Sequence, residues 1–338
     1  MRLLSAVIPL FNEEPNVTEL LRRVHSVLAQ LTGIDDYEVI CVNDGSSDDT
    51  LDALRTHVLD YPKLVIVSLS RNFGHQLAAT AGIDIARGDA VVLMDGDLQD
   101  PPELIAQFVQ KWNDGYDVVY AVRQIRKGES FFKLFTARTF YRITRRLTNV
   151  SIPVDAGDFR LLSRRVVDAL KQTRERHRFL RGLVSWVGFK QIGVPYDRDA
   201  RFAGSTKYPF SKMLRFAVDG ITSFSEIPLR FASYFGFCVS FAAFVAAISE
   251  ILIRMFTGYN LPGYTSTMFA VLFLGGVQLI GIGILGEYVG RIYDQIKGRP
   301  LYLIATIDRA DDAVIRKTDE CSHSPAATVR LPLHQATS

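Results

Sequence analysis

The sequence predicts an α/β protein in which a mostly parallel sheet is followed by two amphipathic helices and a pair of membrane-spanning helices. Short β-branched runs alternate with helical patterns over the first 120 residues, and residues 231–286 concentrate the apolar side chains. Strands that alternate with helices usually form a parallel sheet covered on both faces. With 48% hydrophobic and 22% charged residues, the chain does not have the composition of a disordered protein.

The elements of the predicted sheet follow from the pattern of residues 1–122. Apolar runs that do not alternate with polar residues are typical of strands buried on both faces. The predicted strands are residues 5–10, 37–44, 63–70, 89–97 and 116–122, and the predicted helices are residues 14–31, 48–60, 75–87 and 102–113.

Two apolar segments, residues 231–253 and 267–286, predict a transmembrane hairpin within residues 229–290. Glu250 is the only charge in the first segment, and the second has none. About 20 apolar residues span a bilayer as a helix. Two buried core helices are the alternative, although uncharged helices of this length are unusual in soluble domains. The glycines of the second segment suit close helix packing, so we expect a homo-oligomer: Gly275, Gly276, Gly281, Gly283 and Gly286.

Charged residues around the hairpin predict its orientation. Arg230 precedes it and Arg291 and Lys297 follow it, whereas Arg254 is the only basic residue near the connecting turn. The positive-inside rule then places both termini, with the large domain, in the cytoplasm at the inner (plasma) membrane. The three cysteines form neither a disulfide framework nor a zinc pattern, which agrees with a reducing compartment. Residues 291–338 are expected to form a tail that is disordered after about residue 310.

The net charge of +3 conceals a division between two parts of the chain. Residues 1–120 carry 8 basic and 19 acidic side chains, a net charge of −11, whereas residues 121–338 carry 31 and 17, a net charge of +14. Within the basic part, two segments at about residues 129–148 and 209–227 have apolar residues at helical spacing, which is the pattern of an amphipathic helix. Helices with one basic and one apolar face bind anionic membrane surfaces, so we expect contact with the lipid bilayer. Packing of these helices on the sheet is the alternative, and nucleic acid is not an expected partner.

Polar clusters follow four of the predicted strands, at the edge of the sheet where ligands bind in such folds. Neither a G-x-G-x-x-G nor a G-x-x-x-x-G-K-[ST] motif is present. Acidic residues accept phosphates only through a cation, so Asp95 and Asp97 indicate ligands for Mg²⁺ or Mn²⁺. A single D-x-D motif is weak evidence, because two solvated turn carboxylates are commoner. The clusters are Asn12-Glu13-Glu14, Asn43-Asp44-Gly45, Arg71-Asn72-Phe73-Gly74-His75 and Asp95-Gly96-Asp97.

The ordered motifs IPLFNEE, VNDGSSDDT and DGDLQ resemble those of the family 2 nucleotide-sugar glycosyltransferases, which have the Rossmann-like GT-A fold. The resemblance covers about residues 3–210 and implies a UDP-sugar donor. It implies that Asp95 and Asp97 bind a metal that neutralises the diphosphate, that Gln99 joins the metal site, and that Gln76 contacts the sugar or diphosphate. For Asn43 and His75, turn capping or a buried structural role is an equal alternative. The residues implied to bind the nucleotide sugar are Pro9, Leu10, Asn12, Glu13, Asp44, Gln76, Asp95, Gly96 and Asp97.

The segments VDAGDFRLLSRR, RERHRFLRG, RDARFAGSTKYPFSKM and GRPLYLI, together with the hairpin, resemble the polyprenyl-phosphate glycosyltransferases. Over about residues 3–305 the resemblance is to bactoprenol glucosyltransferases of the GtrB type, and dolichol-phosphate mannose synthases are more distant. It implies inverting transfer of glucose from UDP-glucose to undecaprenyl phosphate. The chain has no Q-x-x-R-W segment, which separates it from processive polysaccharide synthases.

The resemblance also implies roles on the acceptor side. An aspartate usually deprotonates the acceptor in such inverting enzymes, and Asp158 is the candidate, followed by Asp97. A phosphate monoester has a second pKa of about 6, so Asp158 can instead orient the sugar or Arg160. The cations expected to bind the acceptor or the diphosphate are Arg123, Arg138, Arg201 and Lys207, with Thr206 altering the register of Lys207. Two other functions remain open, namely an anchored glycosyltransferase with a non-lipid acceptor or another donor, and a non-catalytic membrane scaffold.

Overall fold

The computed structural model describes residues 1–123, 156–176, 178–197, 227–257 and 263–310. The predicted amphipathic helix at about 129–148 lies outside these ranges, as do the predicted helix at about 209–227, apart from Ile227, and the chain after residue 310. Two compact units are present. The first contains Met1–Gln110 and residues 302–310, and the second contains the described residues between Lys111 and Leu301.

Strands and helices alternate along the chain as the sequence predicts. The elements before the hairpin are β1 (Leu3–Leu10), α1 (Glu14–Ala29), β2 (Asp36–Asn43), α2 (Thr50–Thr56), β3 (Leu64–Leu69), α3 (His75–Ile85), β4 (Ala90–Leu93), α4 (Ile105–Asn113), β5 (Val118–Arg123), β6 (Ala156–Ser163), α5 (Arg164–Gln172), α6 (Leu180–Trp186) and β7 (Gln191–Tyr196). The remaining elements are α7 (Ile227–Thr257), α8 (Tyr264–Ile296) and β8 (Ile304–Arg309).

The strands of the first unit lie in the order β4-β1-β2-β3-β8. β1 is parallel to both β4 and β2, and β2 is parallel to β3, so the carboxyl ends of these four strands share one edge. Their apolar runs are buried, as expected for strands covered on both faces. Helix α3 packs closely on the sheet because Gly82 has no side chain, and a Cβ there would overlap Cγ1 of Val7.

The last strand of the first unit, β8, follows the apolar helices in sequence. It pairs antiparallel with β3, from Val65 opposite Arg309 to Leu69 opposite Ile304. Arg55 donates from Nε to Oδ2 of the buried Asp308 at 3.0 Å. Part of the segment expected to be a tail is therefore a strand, because its hydrogen-bonding partner lies more than 200 residues earlier and leaves no local signal.

The second unit contains three strands in the order β6-β5-β7. β6 pairs antiparallel with β5, with Tyr120 opposite Arg160, and β7 pairs parallel with β5. Helix α5 buries Val166, Val167 and Leu170 on one face. This arrangement brings the end of β5 next to the start of β6, where Arg123 and Asp158 lie.

Helices α7 and α8 are long and apolar enough to cross a membrane, within Leu229–Ala246 and Thr267–Ile296. They pack against each other, and neither stretch is buried as the core helices of a soluble domain would be. Both helices extend beyond the predicted spans. The extension of α8 is polar and contains an i,i+4 ion pair between Glu287 and Arg291 at 2.9 Å, a pairing that supports a solvated helical turn.

Candidate active site

Three neighbouring strands bring the first two polar clusters and the D-x-D motif to one edge of the sheet. Leu10, the last residue of β1, lies opposite Asn43 of β2, and the N–H of Asp44 donates to the carbonyl of Leu10 at 2.9 Å. On the other side of β1, the N–H of Met94 donates to the carbonyl of Val7 at 3.1 Å. Asp95 to Asp97 therefore follow a strand adjacent to Pro9 to Glu13, which is the juxtaposition that the sequence predicted.

The segment after β1 is fixed to the loop after β2 by side chains on both sides. Asn12 adopts a left-handed conformation with a φ of 55°, and its Oδ1 accepts from the N–H of Ser47 at 2.8 Å. In return, the N–H of Asn12 donates to Ser46 and that of Glu13 donates to Thr50, both at 3.0 Å. Asn12 and the two hydroxyl groups thus hold the two loops together. Ser46 and Thr50 were not predicted as site residues, although both lie in the VNDGSSDDT motif.

Asp44 organises the loop that leads into helix α3 and Gln76. Its side chain is buried, and its two carboxylate oxygens accept from the N–H groups of Phe73 at 2.7 Å and Gly74 at 2.9 Å. Burial raises the pKa of Asp44, while these hydrogen bonds and the nearby charges of His75 and Arg71 oppose the rise. Asp44 thereby positions the first turn of α3, where Gln76 lies.

Two glycines allow the loops after β2 and β3 to approach. Gly45 has a φ of 63°, and a Cβ there would overlap the backbone of Arg71. Gly74 has a φ of 98° and precedes the first residue of α3. Residues with a side chain rarely adopt such positive φ values, so glycine is required at both turns. Asn43 also has a structural role, because it donates to Ser68 at 3.2 Å and accepts from the N–H of Ser46 at 3.1 Å.

The D-x-D motif forms a tight turn after β4. Oδ1 of Asp97 accepts from the N–H of Gln99 at 3.2 Å, and Leu98 between them has a φ of 58°. Oδ1 of Asp95 lies 3.4 Å from Nε2 of His75. Gly96 faces β1, where a Cβ would overlap Cδ2 of Leu10. The Gly between the two acids therefore allows the turn to pack closely against the side chain of Leu10.

The residues of this turn fit a divalent cation that is held partly by its substrate. Within the described ranges, no group of three or more His, Cys, Asp or Glu side chains forms a complete metal site. Mg²⁺ is commonly held by one or two carboxylates while phosphate oxygens and water complete its coordination. Asp95 and Asp97 supply such carboxylates. The structure places the backbone of Gln99 beside Asp97 through their hydrogen bond.

A second group of predicted residues lies at the start of β6. Arg160 is 3% exposed, and it donates from Nη2 to the carbonyl of Gly157 at 2.8 Å and from Nε to the carbonyl of Asp158 at 3.2 Å. The same Nη2 lies 3.5 Å from Oδ1 of Asp158. Arg160 therefore holds the backbone that presents Asp158.

Asp158 has a second arginine partner that was not predicted. Arg181 of α6 donates from Nη2 to Oδ1 of Asp158 at 3.3 Å. The segment RERHRFLRG was noted in the sequence, but a separation of 23 residues from Asp158 gives no local signal for this contact. Oδ1 of Asp158 thus lies within 3.5 Å of two guanidinium groups.

Arg123 lies beside this group at the end of β5. Its Nε donates to the hydroxyl of Tyr196 at 3.4 Å, and its Nη2 would be 3.6 Å from a Cβ at Gly157. The structure thus brings Arg123 next to Gly157, which precedes Asp158 at the start of β6. Arg138, Arg201 and Lys207, the other predicted cations, lie outside the described residues.

Two family models match this chain, one over most of the sheet domain and one over the apolar hairpin. Residues 5–171 match the model of the family described as glycosyl transferase family 2, and residues 228–292 match that of the GtrB C-terminal hairpin. The uncharacterised glycosyltransferase YkcC of Bacillus subtilis is 49% identical over 89% of this chain and 92% of its own length. An uncharacterised glycosyltransferase of Synechocystis is 50% identical over 90% of this chain and 95% of its own.

A third relative has a more specific name. The bactoprenol glucosyl transferase of Shigella phage SfII is 41% identical over 91% of this chain and 99% of its own length. The similarity thus continues from the sheet through the apolar helices. The chain belongs to glycosyltransferase family 2, within the group that has a GT-A catalytic domain and a GtrB C-terminal hairpin.

Proposed function

We propose that this glycosyltransferase transfers glucose from UDP-glucose to the phosphate of undecaprenyl phosphate, with inversion at the anomeric carbon. The observation that carries the proposal is the 41% identity to a bactoprenol glucosyl transferase over nearly the whole of both chains. The hairpin supports it independently, because a lipid acceptor lies in a bilayer and its enzyme needs a membrane-bound form.

The donor would bind at the edge of the first sheet. Pro9, Leu10, Asn12, Glu13 and Asp44 would hold the nucleoside, with Asp44 acting partly through the loop that it fixes. Gln76, at the first turn of α3, would face the sugar or diphosphate. Acidic side chains alone would repel the donor, so the charge of this edge supports a cation between protein and diphosphate.

Asp95, Asp97 and Gln99 would hold that cation, Mg²⁺ or Mn²⁺. When bound, a divalent cation neutralises the diphosphate and stabilises the charge that develops on the leaving group. The hydrogen bond from the N–H of Gln99 to Asp97 fixes one carboxylate, and the contact of Gly96 with Leu10 fixes the turn. These two constraints would keep the ligands in place before the donor arrives.

In the transfer step, a phosphate oxygen of the acceptor forms a bond to the anomeric carbon while the bond from that carbon to the β-phosphate oxygen of UDP breaks. Arg123, together with Arg138, Arg201 and Lys207, would bring the anionic acceptor to the anionic donor. Because the acceptor phosphate is already largely deprotonated at neutral pH, the step needs little help from a base. The pairing of Asp158 with Arg160 and Arg181 favours an orienting role for this carboxylate.

The hairpin would anchor the enzyme in the inner membrane with its catalytic domain and termini in the cytoplasm. The basic residues flanking the hairpin support this orientation. A homo-oligomer remains part of the proposal, because the positions of a Cβ at Gly275, Gly276 and Gly283 have no neighbour within 4 Å in the described part of the chain. Close packing of a second copy on this face of α8 would use that space.

A panel of radiolabelled UDP- and GDP-sugars tests the proposal, with undecaprenyl phosphate as the acceptor and the full-length protein in detergent. The expected result is a labelled sugar-lipid in the organic extract with UDP-glucose and a divalent cation. Label that appears only in an aqueous product would instead indicate a non-lipid acceptor. Binding of neither UDP nor any nucleotide sugar would indicate a non-catalytic protein.

A further inference from the structure

Arg181 is a charged side chain of the second unit that the proposed reaction does not yet use. It lies near the start of α6, and its Nη2 makes one contact of 3.3 Å with Asp158. Its Nε is buried and has no hydrogen-bond partner among the described residues. Buried N–H groups nearly always have an acceptor, so this guanidinium has an unused hydrogen-bond donor beside a candidate catalytic carboxylate.

A structural ion pair in the same unit provides a comparison. Arg165 donates from both Nε and Nη2 to Oδ1 of Asp117, at 3.1 and 2.6 Å, and Ser163 donates to the same oxygen at 3.0 Å. That arginine uses two of its nitrogens on one buried carboxylate. Arg181 differs, because its single contact is longer and its Nε remains unmatched.

Exposure distinguishes Arg181 from the other arginine on Asp158. The side chain of Arg160 is 3% exposed, whereas that of Arg181 is 19% exposed and that of Asp158 is 18% exposed. Arg160 is committed to the carbonyls of Gly157 and Asp158. Arg181 is thus the more exposed of the two arginine partners of Asp158.

The charges around this position match a phosphate. Arg123, Arg160 and Arg181 each lie next to Gly157 or Asp158 at the start of β6, so these three arginines and Asp158 together carry three positive charges and one negative charge. A phosphate monoester carries a charge of about −1.5 to −2 at neutral pH. Its oxygens are also the acceptors that a guanidinium fork binds in bidentate fashion.

We propose that Arg181 binds a phosphate group of a substrate, and that Asp158 holds its guanidinium in position for this contact. The inference rests on the proposed function, which supplies two sources of phosphate, the lipid acceptor and the donor diphosphate. Asp158 would then serve the reaction by orienting a cation. Arg181 would be a substrate-binding residue that sequence reasoning had not assigned.

The test compares Arg181→Ala and Arg181→Lys with the control Arg165→Ala, in full-length protein. KM and directly titrated Kd are measured separately for undecaprenyl phosphate and for UDP-glucose. Loss of a hydrogen bond to a charged group predicts a rise of about tenfold or more for one substrate with Arg181→Ala. Lysine keeps the positive charge but lacks the planar guanidinium that binds two oxygens at once. Arg181→Lys should therefore recover part of the affinity that Arg181→Ala loses. A rise for the lipid identifies the acceptor phosphate, and a rise for UDP-glucose identifies the diphosphate.

Unchanged values for both substrates in Arg181→Ala would overturn the inference, as would an equal rise in Arg165→Ala. A double variant separates binding from a purely structural role. If Arg181 only supports Asp158, then Arg181→Ala should have no further effect on KM or Kd in an Asp158→Asn background. A wild-type protein that makes no sugar-lipid would refute the proposed function, whereas a functional wild type with unaffected Arg181 variants would refute only this inference.

Discussion

The side-chain amide of Gln295 is hydrogen-bonded in both directions to the loop between α5 and α6, where its Oε1 accepts from the N–H of Arg176 at 2.9 Å. Its Nε2 donates to the carbonyl of Arg174 at 3.1 Å. Gln295 lies in the last turn of α8. The loop is also fixed from within, because Arg178 donates to the carbonyls of Thr173 and Leu170. The end of an apolar helix is thereby connected to the segment that leads to Arg181.

Replacing Gln295 with alanine removes both hydrogen bonds to this loop. We expect amide hydrogen exchange in residues 174–178 to accelerate, and the free energy of unfolding to fall by about 1–2 kcal/mol. Gln107→Ala, at an exposed position of α4, is the control and should leave that exchange unchanged. Unaltered protection of the loop in Gln295→Ala would show that the amide does not anchor it.

A methyl group at Gly96 would disturb the D-x-D turn, because it would overlap the side chain of Leu10. Gly96→Ala should weaken UDP-glucose binding and lower stability by about 1–3 kcal/mol, as overpacking does. The double variant Gly96→Ala/Leu10→Ala removes the obstructing atoms and should restore part of the donor affinity lost in Gly96→Ala. Titration of UDP-glucose against the three proteins checks this, and a double variant no better than Gly96→Ala would contradict it.

Neutralising the D-x-D acids should abolish metal-dependent donor binding without unfolding the protein. For Asp95→Asn and Asp97→Asn we expect kcat/KM to fall by at least about a hundredfold, since charge stabilisation by a metal contributes several kcal/mol. UDP affinity should no longer depend on Mn²⁺ concentration. Asp114→Asn, which removes an exposed partner of Lys111, should behave as wild type. Manganese-dependent UDP binding that survives in both variants would place the metal elsewhere.

Asp158→Asn should lose much of its activity whichever role Asp158 has, so the pH profile is the informative measurement. If Asp158 orients Arg181, the residual activity should keep the wild-type pH dependence, because the acceptor phosphate ionises with a second pKa of about 6. If Asp158 is a base, the variant should lose the part of the acidic limb that comes from ionisation of Asp158 and keep only the part that comes from the acceptor phosphate. The pH dependence of kcat/KM for the variant, measured from pH 5 to 8, decides between these outcomes.

The buried His25 should make the first unit less stable in acid. It stacks on Tyr61, with ring centroids 4.3 Å apart, and its burial and the charge of Lys63 lower its pKa from 6.5 to about 4. Below pH 6.5 the unfolded chain therefore binds a proton that the folded protein does not, so stability falls as the pH drops from about 6.5 to about 4.

The variant His25→Gln should remove this contribution, which we expect to be roughly 1–3 kcal/mol. Thermal unfolding at pH 7 and pH 4.5 measures it, with His57→Gln as the control for loss of a histidine. An equal acid-induced loss of stability in His25→Gln and in the wild type would assign the effect to other groups.

Local patterns in the sequence predicted most of the elements and the meeting of the polar clusters at one edge of the sheet. The runs before Asn12, Asp44 and Asp95 are strands, because their apolar residues are buried on both faces as their composition requires. The parallel alternation of strands and helices then placed the clusters at one edge. The roles of individual side chains were less predictable, as the hydrogen bonds of Asp44 to the β3–α3 loop and the contact of Gly96 with Leu10 show.

The sequence by itself determined the family, the parallel sheet, the two apolar helices and the acidic edge with its D-x-D turn, because each depends on residues close together in the chain. Only the tertiary structure decided that β8 pairs with β3, that Gln295 holds the loop before α6, and that Arg181 contacts Asp158. These contacts join residues separated by 20 to more than 200 positions. Hydrophobic periodicity indicates which face of an element is buried. Which other element packs on that face depends on packing and hydrogen bonding in the folded chain.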